Sequence, residues 1–248
     1  MASQARVLLA LSLLLAQGPV AEAQIPSQFE NLKYFAKDVP RDVLIQRMRE
    51  FSFALGVRCQ YCHSGGDGIS FEGVNFGSDD KDAKVKARFM LRMVETLNAT
   101  TLASVPGRRS PPVKMDCVHC HRGSPVPTTL ATELTRVIEE KGAAGAVTRY
   151  RELREDMVSG RFDFGEWEIN ELARTLRENG KTPAAIAMLE LNAEYYPKSV
   201  AIDLSLGDLH RERGEREQAI ARYRRVLEKD PRNVRAKRAL EELERKKP

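Results

Sequence analysis

Two copies of one pentapeptide, C-x-x-C-H, constrain this chain more than anything else in it. They read CQYCH from Cys59 and CVHCH from Cys117, and together they use all four cysteines of the sequence. Two of the four histidines, His63 and His121, close the motifs; the others are His119 and His210. Three chemistries use paired cysteines. Disulfides suit an exported chain, but do not call for a histidine directly after each pair. A zinc site pairs two C-x-x-C units about 15–20 residues apart, whereas 54 residues separate Cys62 from Cys117. The third is covalent attachment of c-type haem, for which C-x-x-C-H is the expected spacing. One helical turn then supplies two thiols for the vinyl groups and an imidazole for the iron. Cys59, Cys62 and His63 are the candidates for one haem, and Cys117, Cys120 and His121 for a second. His119, between the second pair of cysteines, points away from the ring as a surface or propionate neighbour.

The amino terminus carries an export signal pattern. Arg6 precedes the apolar run Val7 to Ala16, and Ala21-Glu22-Ala23 offers a cleavage site before Gln24. An apolar run of ten residues is too short to span a bilayer, which takes about 20. The reading is a periplasmic protein, cleaved near Ala23 and not membrane-spanning. With 42% hydrophobic and 30% charged residues the chain is globular.

Periodicity then divides it. Leu44, Met48, Phe51 and Leu55 form one apolar stripe on a helix that Asp38 caps, with Pro40 in its first turn and Gly56 closing it. Ser64 to Asp80 holds five glycines and reads as a loop. Ser78 or Asp79 caps a second helix, roughly Lys81 to Leu97. From about Thr129 the chain reads as all helix. Leu172, Gly180, Ala185 and Pro197 recur 34 residues later as Leu206, Gly214, Ala219 and Pro231. That period and those residue types are the tetratricopeptide signature of two antiparallel helices per unit. Ala173 and Gly207, like Ala185 and Ala219, mark the close helix crossings. Ala143 to Val158 is a further amphipathic helix, and Val234 to Lys246 a terminal cap. The expected fold is mainly α: a multihaem c-type cytochrome domain with little regular sheet, then a tetratricopeptide-like hairpin array. Its divisions are a signal peptide (1–23), a dihaem domain (24–128), a helical connector (129–165) and the repeats with their capping helix (166–248).

Net charge is about +2 over 24–140, −3 over 141–210 and +6 over 211–248. The basic tail interleaves Lys and Arg with Glu at helical spacing, as a solvated face does, and no nucleic acid is expected as a partner. Asn98-Ala99-Thr100 fits a glycosylation sequon, a match short enough for chance. Asp67, Asp79, Asp80 and Asp82 have no calcium-loop spacing and read as caps and solvated groups.

The remaining question is the sixth iron ligand. Methionine raises the reduction potential, and a filled sixth position favours electron transfer over oxygen or peroxide chemistry. Of seven methionines, Met48 lies on the first helix's apolar stripe, and Met90 and Met93 lie one turn apart on the second helix. Met115 is too close to Cys117 to reach the far face of a ring. The runs RDVLIQRMREFSFALGVRCQYCH, DDKDAKVKARFMLRMVETLN and VKMDCVHCHRGSPVP, taken in order, resemble the photosynthetic reaction-centre cytochrome c subunit family over roughly residues 30–127. The resemblance implies a helix carrying a distal Met ahead of each motif. By that pattern Met48 serves the first haem and Met93 the second, with Met90 as the fallback. Family members usually carry four haem motifs; this chain has one pair, a half-length version with the repeats in place of the rest. The implied function is a dihaem electron carrier whose partners are redox proteins, docked through the repeats. A dihaem peroxidase-like enzyme with one open haem and a haem-containing scaffold are the alternatives. No distal acid–base pair supports the enzyme, so an electron-transfer protein is expected.

Overall fold

The computed structural model describes residues 25–107 and 109–245. The export signal and its cleavage site lie outside them. Helices dominate: α1 (Arg41–Leu55), α2 (Asp82–Thr96), α3 (Cys117–His121), α4 (Leu130–Glu155), α5 (Glu166–Glu178), α6 (Thr182–Tyr195), α7 (Val200–Glu212), α8 (Arg216–Lys229) and α9 (Val234–Arg245). Among the described residues no strand forms, and Ser64 and Asn75 make an isolated antiparallel bridge. The chain divides into two compact units. One takes residues up to Ser52 and Arg58–Met115; the other takes Phe53–Val57 and everything from Asp116.

In the first unit α1 starts one residue after Pro40, whose carbonyl accepts the first helical bond from the Leu44 amide. Asp38 therefore stands in the preceding turn, too early to cap. The second cap expectation also fails. The N-cap of α2 is Lys81, whose side chain has no acceptor; Ser78 and Asp79 stand three and two residues earlier, where Ser78 Oγ accepts from the Asp80 amide and Asp79 pairs with three cations. The stripe of α1 is as expected at Leu44, which is buried, while Met48 and Phe51 are half-covered. Phe51 stacks on Phe35 at 6.5 Å. Yet Leu44 is the one buried hydrophobic side chain among the described residues of this unit. α2 buries no residue at all; its Phe89 is 71% exposed and Met93 50%.

The second unit has an ordinary apolar core. The helix pairs α5–α6 and α7–α8 begin 34 residues apart, and α9 starts 34 after α7. Gly180 and Gly214 close α5 and α7 with matching positive φ values of 72° and 74°, a conformation that favours glycine. Leu172, Leu206, Ala185 and Ala219 are all buried where the repeat register puts them. Gly207 is required by packing: a Cβ there would meet the Tyr223 ring at 2.7 Å. The Tyr223 hydroxyl donates to Asp208 at 2.7 Å, and Arg235 of α9 pairs with the same carboxylate. Between α7 and α8 the buried Asp203 accepts from Arg222 at 3.1 Å and pairs with Lys229. α4 carries a break at Gly142 (φ 72°, ψ −179°), so the expected amphipathic helix is its second half, ending at Glu155.

Candidate functional site

α1 ends at Leu55, and Gly56 (φ 66°) turns the chain into the first motif. Cys59–Tyr61 forms a 3-10 turn, in which the Cys62 and His63 amides both donate to Cys59 O at 3.1 and 3.0 Å. That single turn places two thiols and one imidazole together. Burial raises the Cys62 thiol pKa, with Cys59 adding to it and Lys84 opposing. His63 is pushed down to about 4, first by burial and then by Lys84, while the Phe76 backbone offsets part of the shift. It is therefore neutral at pH 7, the state that ligates metals. Its Nδ1 is buried and makes no hydrogen bond of good geometry; the Phe76 carbonyl, which offsets part of the shift, also accepts from Lys84 Nζ at 2.8 Å.

The loop that follows is held behind His63. Asn75 N donates to Ser64 O at 2.7 Å, and the Phe76 and His63 rings lie 5.0 Å apart. A Cβ on Gly65 would sit 2.1 Å from Gly73 O, so the hairpin closes only with glycine there. Asp67 accepts from the Ile69 and Ser70 amides, and Asp79 pairs with Lys33 and Arg88. Among the described residues no three His, Cys, Asp or Glu side chains form a metal-holding group.

The second motif is a helical turn. Asp116 caps α3 by accepting from the Cys117 amide at 2.7 Å, and its own amide donates to His119 Nδ1 at 3.0 Å. This reciprocal box gives His119 a local task that spacing did not reveal, though it is exposed as expected. His121 Nδ1 lies 2.8 Å from Ser124 O. A carbonyl only accepts, so Nδ1 carries the proton and Nε2 keeps a lone pair. Ser124 is itself buried, and its hydroxyl accepts from Arg161 at 2.8 Å. The turn after His121 is pinned to the end of α1: Gly123 N donates to Ala54 O at 2.9 Å, and a Cβ on Gly56 would meet Gly123 O at 2.2 Å.

Met48 is half-covered and belongs to the same unit as the first motif. Met90 (37% exposed) and Met93 are on α2 of that unit, and Cys117, Cys120 and His121 belong to the other. Asn98 was legible only as a sequon. Its side chain grips the Met115 backbone both ways, donating to the carbonyl at 2.9 Å and accepting from the amide at 2.8 Å. That grip fixes the segment entering the second motif and occupies the amide a glycan would need.

Each motif fits a covalently attached haem on its own chemistry. The thiols and the imidazole come from one turn, and among the described residues no disulfide joins Cys59 to Cys62 or Cys117 to Cys120. The second imidazole is set in the tautomer that offers Nε2, and burial keeps the first neutral.

Residues 59–159 match the family of the photosynthetic reaction centre cytochrome C subunit, and residues 176–243 match the tetratricopeptide repeat. Cytochrome c-554 of Chloroflexus aurantiacus is 40% identical over 74 residues, a stretch covering 30% of this chain and 16% of that protein. The likeness is thus to a cytochrome in the first part and to a protein-interaction repeat in the second. No described helix is long and apolar enough to cross a membrane.

Proposed function

We propose that this chain is a periplasmic dihaem c-type cytochrome that passes single electrons between redox proteins, one of them docked through the repeats. Cys59 and Cys62 bind one haem through thioethers with His63 toward its iron, and Cys117, Cys120 and His121 do the same for the other. Met48 and Met93 fill the sixth positions on the family pattern, with Met90 in reserve for Met93. When bound, haem supplies reversible one-electron chemistry. The chain's own residues hold it and aim the imidazoles.

The observation that carries the reading is the hydrogen bond from His121 Nδ1 to Ser124 O. It spends the nitrogen that a metal does not need and presents the other, as second-shell partners of ligating histidines do. The same bond, with Arg161 behind Ser124, keeps the ring from turning.

Near-infrared magnetic circular dichroism of the ferric holoprotein tests the sixth ligands. Low-spin signals with the sulfur-to-iron band are expected, and Met48→Ala and Met93→Ala should each remove part of that band. A high-spin resting signal in the native protein would instead favour an enzyme with an open iron.

A further inference from the structure

We propose that Lys84 is a charge-setting residue of the first site: its ammonium, anchored to the backbone behind His63, raises the electron affinity of that site. The proposal rests on the reading of Cys59, Cys62 and His63 as a haem site.

Lys84 lies in the first turn of α2, with a side chain only 13% exposed. Its Nζ donates to Phe76 O at 2.8 Å and Ser78 O at 2.6 Å, and stands 3.6 Å from Asp79 Oδ1. Asp79 does not cancel this charge. The same carboxylate is shared with Lys33 and, at 2.8 Å, with Arg88, so one negative group faces three positive ones. Phe76 links the ammonium to the His63 imidazole through the ring contact at 5.0 Å, and the Ser64–Asn75 bridge keeps that contact in register.

With haem bound, gain of one electron from a donor protein would lower the charge of the site by one. A nearby cation in a half-buried setting favours the less positive state. The competing role is mechanical: a staple for the 64–80 loop with no effect of its charge.

Spectroelectrochemical titration of the full-length holoprotein, fitted as two one-electron components, separates these roles. Lys84→Gln should lower one component by about tenfold in its equilibrium constant, about 59 mV for one electron, and leave the other in place. Lys84→Arg keeps the charge and should keep most of the potential. Lys86→Gln, on the same helix but 76% exposed, should move neither component. Arg88→Gln removes the next cation and should lower the same component by less, which gives a second reading if Lys84→Gln does not mature. The proposal is overturned if Lys84→Gln, or Arg88→Gln in its place, shifts neither component more than Lys86→Gln does. It is overturned equally if Lys84→Arg lowers the potential as far as Lys84→Gln. A pyridine haemochrome count on the native sample distinguishes the two claims. Fewer than two haems per chain rejects the haem reading of a motif, and two haems with an unmoved potential reject the role of Lys84 alone.

Discussion

The two units of this chain handle apolar surface in opposite ways. In the unit holding the repeats, side chains such as Leu172, Leu206, Met188 and Tyr223 are covered by neighbouring helices. Among the described residues of the unit holding the first motif, Leu44 is the one buried hydrophobic, and the amphipathic α2 buries nothing. A helix gains most of its stability from packing an apolar face, so α2 draws little of it from the polypeptide. The first unit is organised by polar ties instead: Asp79 with its cations, Lys84 on two carbonyls, and Asn98 on the Met115 backbone. The contrast teaches that one unit carries its own apolar core, while the other is tied together by polar contacts around the first motif.

The largest expected effect comes from removing the thiols. With Cys59, Cys62, Cys117 and Cys120 all changed to Ser, α1 and α2 should exchange their amide hydrogens at nearly unfolded rates while α5–α8 keep protection. Retained protection in α2 would break the comparison. Asp203→Ala attacks the repeat unit where it depends on a buried carboxylate held by Arg222 and Lys229. Loss of these charge-assisted hydrogen bonds costs about 1.5–3 kcal/mol, read as a lower denaturation midpoint for the repeats. Gly207→Ala presses a Cβ against the Tyr223 ring, and overpacking of that kind costs about 2 kcal/mol. The smallest effect concerns acid. Hydrogen bonds from Lys33 and Asn31, then Arg88, hold the Asp79 carboxyl well below its ordinary 3.8. A depressed carboxylate stabilises the fold above the unfolded pKa and loses that contribution as pH falls through the folded value. Asp79→Asn should therefore flatten the acid limb of the first unit's unfolding curve below about pH 4 and leave the repeats' curve unchanged.

How much of this was legible in the sequence differs between the units for the same reason. The repeats announce themselves because the core recurs with the chain: Leu172 and Leu206, Gly180 and Gly214 each fall in register. The motifs were legible because one turn brings their donors together. The ties in the first unit were not. Lys84 reaches back to Phe76 and Ser78, and Asn98 reaches forward to Met115, contacts with no period. The cap assigned to Ser78 or Asp79 failed on position: α2 begins at Asp82, so its N-cap is Lys81, two residues past Asp79. Ser124 and Arg161, which orient His121, lie 37 residues apart and left no local signal.

The central claim is that both pentapeptides hold haem through thioether bonds. Its most direct test is a pyridine haemochrome assay with intact mass measurement on protein matured in a host competent for c-type cytochromes. The account predicts two covalently attached haems per chain; a colourless polypeptide of unmodified mass from such a host would contradict it.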